Sequence, residues 1–146
     1  MTFRFRLEKL LQVKENEAND CQVKYNEAVK KFETVGYELY HWLKQKETTK
    51  QKVDQNVVAG TTIAALQEAE LMSKRLEKQI LIWQHEADVS RQHMVKMKQA
   101  WQAANTELKK LEKMKGKNKE REREEQNRLE QMQLDETAVL QFIRAE

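Results

Sequence analysis

The chain has 146 residues with no proline, three glycines and 35% charged residues. So few turn-forming residues exclude a fold of many short elements and favour a few long helices. The 27 basic and 24 acidic residues nearly cancel, to a formal charge of +3, which does not indicate nucleic-acid binding. Because Cys21 is the single cysteine, an intrachain disulfide is excluded.

Membrane insertion and export by a signal peptide are not expected. No apolar run approaches the roughly 20 residues that span a bilayer. The first residues, MTFRFRLEKLLQVKE, lack an apolar core followed by a small-residue cleavage site. We therefore expect a protein of the aqueous phase with no direct insertion into the membrane.

The first predicted element is a long helix over about residues 3–57. A series that alternates steps of four and three residues is apolar at nearly every position, which is the 3.5-residue repeat of a coiled-coil seam. Its apolar members are Leu7, Leu11, Ala18, Cys21, Tyr25, Ala28, Phe32, Val35, Leu39 and Trp42. The exception is Lys14. Gly36 interrupts neither the phase nor, by this pattern, the helix.

A turn is predicted at about residues 58–62, within the segment NVVAGTT. Gly60 can adopt the left-handed conformation that ends a helix, and the threonines that follow can cap the next one. A hairpin turn here would fold the chain back on itself. The alternative that the pattern leaves open is a parallel dimer, in which the seams of two chains pair without folding back.

The second predicted helix covers about residues 63–143 and carries a seam of its own. Its members are Leu66, Ala69, Ser73, Leu76, Ile80, Trp83, Ala87, Ser90, Met94, Met97, Trp101, Ala104, Leu108 and Leu111. Antiparallel partners would have residue numbers that sum to roughly 120, because both helices rise equally per residue. The apolar run Ile80–Trp83 is wider than a two-helix seam, so part of it should face outward.

The predicted fold is all-α: two long helices in an antiparallel coiled-coil hairpin, with the C-terminal helix overhanging. The chain would be a single coiled-coil domain over 1–146, in which 115–146 project beyond the hairpin. The stretch KGKNKEREREEQN (115–127) has no apolar residue, as expected of a helix without a partner in water. Apolar residues then return in phase at Leu129, Met132, Val139 and Ile143. Such a stripe predicts a docking surface.

The sequence offers no catalytic, cofactor or metal site. His41, His85 and His93 include no pair at i, i+4 spacing, and no second thiol accompanies them, so we interpret them as surface residues. The chain also lacks a glycine-rich phosphate loop and the GxSxG and HExxH motifs. We expect a protein that acts by binding rather than by catalysis.

Two blocks at opposite ends of the chain resemble the FliJ family of flagellar export proteins. The first is FRFRLEKLLQVKENEAN (3–19), and the second is KLEKMKGKNKEREREEQNRLEQMQLDETAVLQF (110–142). The most specific part is the LDE triplet Leu134–Glu136 after EEQNRLEQ. The resemblance implies a cytoplasmic coiled coil, peripheral at the inner face of the cell membrane, that belongs to the flagellar type III export apparatus.

By the same resemblance, the partners are the export ATPase FliI, the export gate protein FlhA and export chaperones. The termini end of the hairpin would enter the ATPase ring and promote its assembly. The residues expected there are Phe3, Phe5, Leu7, Arg121, Arg123, Asn127, Arg128, Leu134, Asp135 and Glu136. The residues that match the gate-binding region are Met72, Leu76, Gln79 and Trp83.

Other functions remain compatible with parts of the sequence. The main alternative is a cytoplasmic chaperone or escort scaffold, which would capture export substrates through the C-terminal stripe. A nucleic-acid-binding coiled coil is a further alternative, although no aromatic residues accompany the basic run at 109–123. An enzyme is the least favoured, because two helices seldom enclose a pocket.

Overall fold

A computed structural model describes residues 3–145, which form two α-helices. Helix α1 spans Phe3–Ala59 and helix α2 spans Ile63–Ala145, with 57 and 83 residues. The two helices pack against each other as a hairpin, so the predicted all-α fold is confirmed. Each helix continues two residues past its predicted C-terminal end. Neither helix, over these residues, contains a stretch long and apolar enough to cross a membrane.

The turn between the helices is built by the residues that the sequence indicated. Gly60 has a φ of 94°, the left-handed conformation in which a side chain would be strained, and its N–H donates to the Val57 carbonyl at 3.4 Å. Thr62 then begins α2, because its hydroxyl accepts from the Ala65 N–H at 3.2 Å and its carbonyl from the Leu66 N–H at 3.2 Å. This is the N-cap arrangement that satisfies the first amides of a helix.

The chain packs as two units. We call Asn19–Gln102, which includes the turn, the turn unit, and the described residues of 1–18 and 103–146 the terminal unit. In the turn unit α1 and α2 run antiparallel: the ring of Tyr25 stacks on that of Trp101, and Lys46 pairs with Glu77 at 3.9 Å.

The core of the turn unit consists of the predicted seam, except for Leu66 near the turn, which is 39% exposed and not buried as predicted. Its most buried members are Ala28, Val35, Leu76 and Ile80, all at most 6% exposed. Ser90 is also buried, and its hydroxyl donates to the Glu86 carbonyl at 2.7 Å, so its polar atom is satisfied inside the helix. The most buried positions of the seam therefore hold small and branched side chains, whereas its aromatic members, such as Tyr25 and Trp101, are half-buried.

The terminal unit is likewise antiparallel. Arg4 pairs with Glu122 at 3.8 Å, and Lys14 pairs with Glu107 at 2.9 Å. Leu7 and Ala18 are buried, and Leu108, Leu111, Lys115 and Asn118 of α2 are half-buried.

The start of the overhang lies further along the chain than the sequence predicts. The apolar series predicts that packing against α1 stops with Leu111 and that the projecting segment begins at Lys115. Instead Lys115 and Asn118 are half-buried, and Glu122 reaches Arg4. Long charged side chains can pack their apolar stems while their heads stay in water, so the end of the apolar series is not the end of the contact. Every described residue from Lys119 onward is exposed.

Candidate partner-binding surfaces

The C-terminal segment, residues 123–145, is an exposed helix with two kinds of side chain. Charged and polar residues occupy 123–128, and apolar residues return from Leu129 onward. Four of these, Leu129, Met132, Val139 and Ile143, keep the seam phase of α2 and are 51–61% exposed. We call them the C-terminal stripe. Leu134, Leu140 and Phe142 are also exposed, so apolar surface extends around much of the helix.

The predicted ATPase-binding residues on α2 all lie on this exposed helix or directly before it. They are Arg121, Arg123, Asn127, Arg128, Leu134, Asp135 and Glu136. Asp135 and Glu136 line a shallow depression together with Val139 and Leu140. The hydroxyl of Thr137 donates to the Gln133 carbonyl at 2.8 Å, so this side chain bonds within its own helix. Carboxylates beside apolar side chains suit a partner surface that is itself mixed in polarity.

The ATPase-binding residues predicted on α1 include both exposed and buried side chains. Phe3 and Phe5 are 62% and 49% exposed, and the Lys9 ammonium lies 5.9 Å from the centre of the Phe5 ring. Leu7 is only 6% exposed and lies in a small crevice with Lys115. Thus Phe3 and Phe5 are accessible to a partner, whereas Leu7 packs against α2.

The predicted gate-binding stripe is also divided by burial. Met72 is 57% exposed, Gln79 and Trp83 are half-buried, and Leu76 is 6% exposed within the seam. Beside the stripe, Leu81 and Ile82 are 66% and 53% exposed while Ile80 is buried. The expectation that part of the run Ile80–Trp83 faces outward is confirmed.

A groove on the turn unit lies next to Met72. Its α2 wall is Met72 and Leu76, and its α1 wall is polar: His41, Lys44, Gln45, Thr48, Thr49 and Lys52. Two lysines in this wall give it a positive charge at neutral pH. The sequence did not predict the α1 wall, because these residues lie where the apolar series fades and carry no periodic signal of their own.

A second surface that the sequence did not predict surrounds Gly36. Tyr37 and Tyr40 are 75% and 63% exposed, and together with Glu33 and Gly36 they line an open depression on α1. The Lys44 ammonium lies 6.0 Å from the centre of the Tyr40 ring. Two exposed tyrosines one helical turn apart are aromatic anchors of the kind found in interfaces.

The histidines and the single thiol have the surroundings that the sequence predicted. His41, His85 and His93 are exposed, and Cys21 is half-buried in the seam. Over residues 3–145, no group of three or more His, Cys, Asp or Glu side chains is arranged to hold a metal ion. Trp42, Trp83 and Trp101 are half-buried, and the indole N–H of Trp42 is buried without a hydrogen-bond partner.

Within the terminal unit, Lys14 is paired with two carboxylates. Its ammonium lies 2.9 Å from Glu107 and 3.2 Å from Glu17. The hydrogen bond to Glu107, with a smaller one to Glu17, raises the pKa of Lys14, and the hydrogen bond from Lys14 lowers the pKa of Glu107. Both groups therefore stay charged across the physiological range.

Comparison with known proteins gives a consistent result over the length of the chain. The sequence profile of the family described as "Flagellar FliJ protein" matches residues 3–146. The flagellar FliJ protein of Bacillus subtilis (strain 168) is 27% identical over 143 residues, which are 98% of this chain and 97% of that protein. No solved structure matches.

Proposed function

The chain belongs to the flagellar FliJ protein family, and from this premise we propose that it is a non-enzymatic stalk of the flagellar type III export apparatus. In this role it inserts its termini end into the ring of the export ATPase FliI, promotes assembly of that ring, and links it to the gate protein FlhA. Its place is the cytoplasmic face of the cell membrane. It works by binding and by the rigidity of two packed helices.

One observation carries this proposal: the exposed C-terminal segment with its stripe. Leu129, Met132 and the other stripe residues continue the seam phase of α2 where α1 no longer covers it. Arg4 and Glu122 bring the start of α1 beside the start of this segment. A partner that encloses the segment would meet the exposed rings of Phe3 and Phe5 as well, so both ends of the chain supply one binding surface.

The charges of the segment favour a partner with mixed polarity over a purely apolar pocket. Arg123 and Arg121, which lies just before the segment, alternate with glutamates, and Arg128 follows Asn127; all three are exposed. Charged side chains at the rim of an interface accelerate and orient association, while the apolar stripe contributes most of the affinity. We therefore expect binding to the ATPase to weaken in salt but not to vanish.

The test mixes the purified chain with purified FliI and measures ring assembly and ATP turnover. The wild-type chain should increase both. A variant with serine at the four positions of the C-terminal stripe should lose this effect, because its apolar contacts are gone. Its matched control carries serine at Leu81 and Ile82, which are equally exposed but lie in the turn unit. Lack of any effect of the wild-type chain on assembly or turnover would sink the proposal.

A second candidate function is an escort scaffold for export substrates and their chaperones. The exposed side chains of Leu140 and Phe142 favour it, since they widen the apolar surface beside the C-terminal stripe. Deleting residues 129–146 discriminates between the two functions. If capture of substrates through the C-terminal stripe is the main role, the deletion abolishes capture and leaves ATPase stimulation intact. The stalk proposal expects the deletion to abolish stimulation.

A further inference from the structure

Lys14 is the charged residue within the seam series of α1 between Leu7 and Trp42. Its side chain is only 26% exposed, although an ammonium is costly to withdraw from water. An apolar side chain would fit the repeat at this position and would make the seam more stable. The presence of a lysine therefore calls for an explanation other than stability.

The hairpin supplies Lys14 with an opposite charge from the other helix. Its ammonium lies 2.9 Å from a Glu107 carboxylate oxygen of α2, and Glu17 of α1 approaches the same ammonium to 3.2 Å. Both contacts are hydrogen bonds between charged groups, which are the stronger class. In the hairpin the cost of placing a charge in the seam is thus offset locally.

A parallel pairing of two copies of α1 keeps Glu17 beside Lys14 but loses the shorter contact to Glu107 of α2. Equivalent seam positions face each other in an in-register parallel coiled coil, so Lys14 would meet Lys14 of a second copy. Two ammonium groups would then be held together in a partly dehydrated seam, whereas the rest of the series, from Leu7 to Trp42, would pair well with itself. A single charged seam residue is a known means of fixing the register and the number of strands of a coiled coil.

We propose that the Lys14–Glu107 pair is a pairing-specificity device that selects the folded-back hairpin over parallel self-association of α1 between two copies of the chain. The inference concerns the chain alone and does not depend on the proposed role with the ATPase. Lys30 of the same helix does not share this property. It is exposed and lies between the seam positions Ala28 and Phe32, so it would face water in a parallel dimer as well.

The chain contains its own reporter of parallel pairing. Cys21 lies one seven-residue repeat after Lys14 in the same seam, and it is the single cysteine of the chain. An in-register parallel dimer would place the two Cys21 thiols opposite each other, close enough to form a disulfide under mild oxidation. In the hairpin Cys21 meets α2, which has no cysteine, so no cross-link can form within one chain.

The experiment compares the full wild-type chain with Lys14→Leu by oxidation and non-reducing electrophoresis, with the mass in solution measured beside it. Removing an opposed pair of like charges should raise the Cys21-linked dimer at least about tenfold. The control Lys30→Leu, which removes a lysine outside the seam, should remain at the wild-type level. If Lys14→Leu cross-links no more than wild type, or if Lys30→Leu cross-links as much as Lys14→Leu, the proposal is wrong.

A charge exchange keeps the test decisive even if Lys14→Leu misfolds. Lys14→Glu alone should lower the thermal midpoint, because the introduced carboxylate would face both Glu107 and Glu17, and it should not increase the cross-link. Adding Glu107→Lys to this variant should recover much of the lost thermal midpoint, and the double variant should remain monomeric. If the double variant is no more stable than Lys14→Glu alone, the specific pairing of residues 14 and 107 is refuted.

Discussion

The ring of Tyr25 on α1 stacks on the ring of Trp101 on α2, with centroids 5.6 Å apart and planes inclined by 18°. Both residues belong to the seam series that the sequence predicts, and both are half-buried. Stacked aromatic side chains interact over a large area in a defined geometry. This contact therefore fixes which part of α2 lies opposite Tyr25 within the turn unit.

The stacking predicts a measurable coupling between the two residues. Replacing either ring by leucine should destabilise the hairpin, and the double variant should destabilise it by less than the sum of the single changes. We expect a coupling free energy of about 0.5–1.5 kcal/mol, the usual range for an aromatic pair. Urea unfolding of the four proteins in the cycle measures it. A coupling near zero would mean that the rings contribute only through separate burial.

Replacing glycine by alanine should lower the stability of the hairpin at position 60 and raise it at position 116. Gly60→Ala should destabilise the hairpin by about 1–2 kcal/mol, because φ at this position is 94° and a Cβ is strained there. Gly116→Ala should stabilise it by about 0.5–1 kcal/mol, because the residue is helical and nothing beyond its own stretch of helix lies within 4 Å of the added Cβ. Gly36→Ala is the matched control for Gly116→Ala, in the same helical conformation and equally open space. Thermal unfolding of the three variants gives the order of their stabilities. A Gly116→Ala variant that is less stable than wild type would indicate that flexibility is needed at this position.

The Lys14–Glu107 interaction predicts a bounded pH range of stabilisation. The folded pKa of Glu107 lies below 4.5, so its contribution is complete above that pH and is lost as the pH falls through the lowered value. The folded pKa of Lys14 lies above 10.5, so its contribution is complete below that pH and is lost as the pH rises through the raised value. The stability difference between wild type and Glu107→Gln should therefore be flat from about pH 5 to pH 10 and shrink in acid and in strong base.

Urea unfolding of both proteins at a series of pH values tests this prediction. Using the difference between the two proteins removes the contributions of ionisable groups that do not interact with the pair; Glu17 interacts with Lys14 and Lys110 with Glu107, so these two still contribute to the difference. Because Lys14 and Glu107 are partly exposed, added salt should reduce the difference. A difference that rises in acid would contradict the assigned direction of the Glu107 pKa.

The sequence predicted the fold well because two local signals agree. The 3.5-residue period identifies the buried face of each helix, and of the apolar series from Leu7 to Trp42 every member is buried or half-buried. Gly60 and Thr62 supply turn and cap chemistry that acts over a few residues, so the turn lies where the sequence predicts it. The extent of packing was less predictable, because the contact of Arg4 with Glu122 depends on long side chains that follow no period.

The sequence did not indicate how burial divides the candidate sites, and Leu76 shows why. The period places Leu76 in the seam, whereas the family resemblance places it in the gate-binding stripe, and it is 6% exposed. Leu7 is likewise placed in the seam by the period and in the ATPase-binding surface by the family resemblance, and it is also 6% exposed. Exposed residues such as Tyr37 and Tyr40 belong to no repeat, so a single sequence gives no reason to select them. Periodicity indicates what is buried, but the choice among exposed residues requires the structure.

The last prediction concerns the predicted gate-binding stripe, which contains both exposed and buried residues. Met72→Ala should weaken binding to FlhA and leave the unfolding free energy nearly unchanged, because the side chain is 57% exposed on the rim of the groove. Leu76→Ala should cost about 2–5 kcal/mol of stability, since it opens a cavity in the seam. Binding is measured by calorimetry at a temperature where both variants remain folded. This distinguishes a residue that contacts FlhA directly from one that affects binding only through the packing of α2. Leu81→Ala is the matched control for Met72→Ala, an exposed apolar residue on the same helix outside the groove. If Met72→Ala and Leu81→Ala bind FlhA as wild type does, while Leu76→Ala does not, the gate recognises another face and Leu76 acts only through the packing of α2.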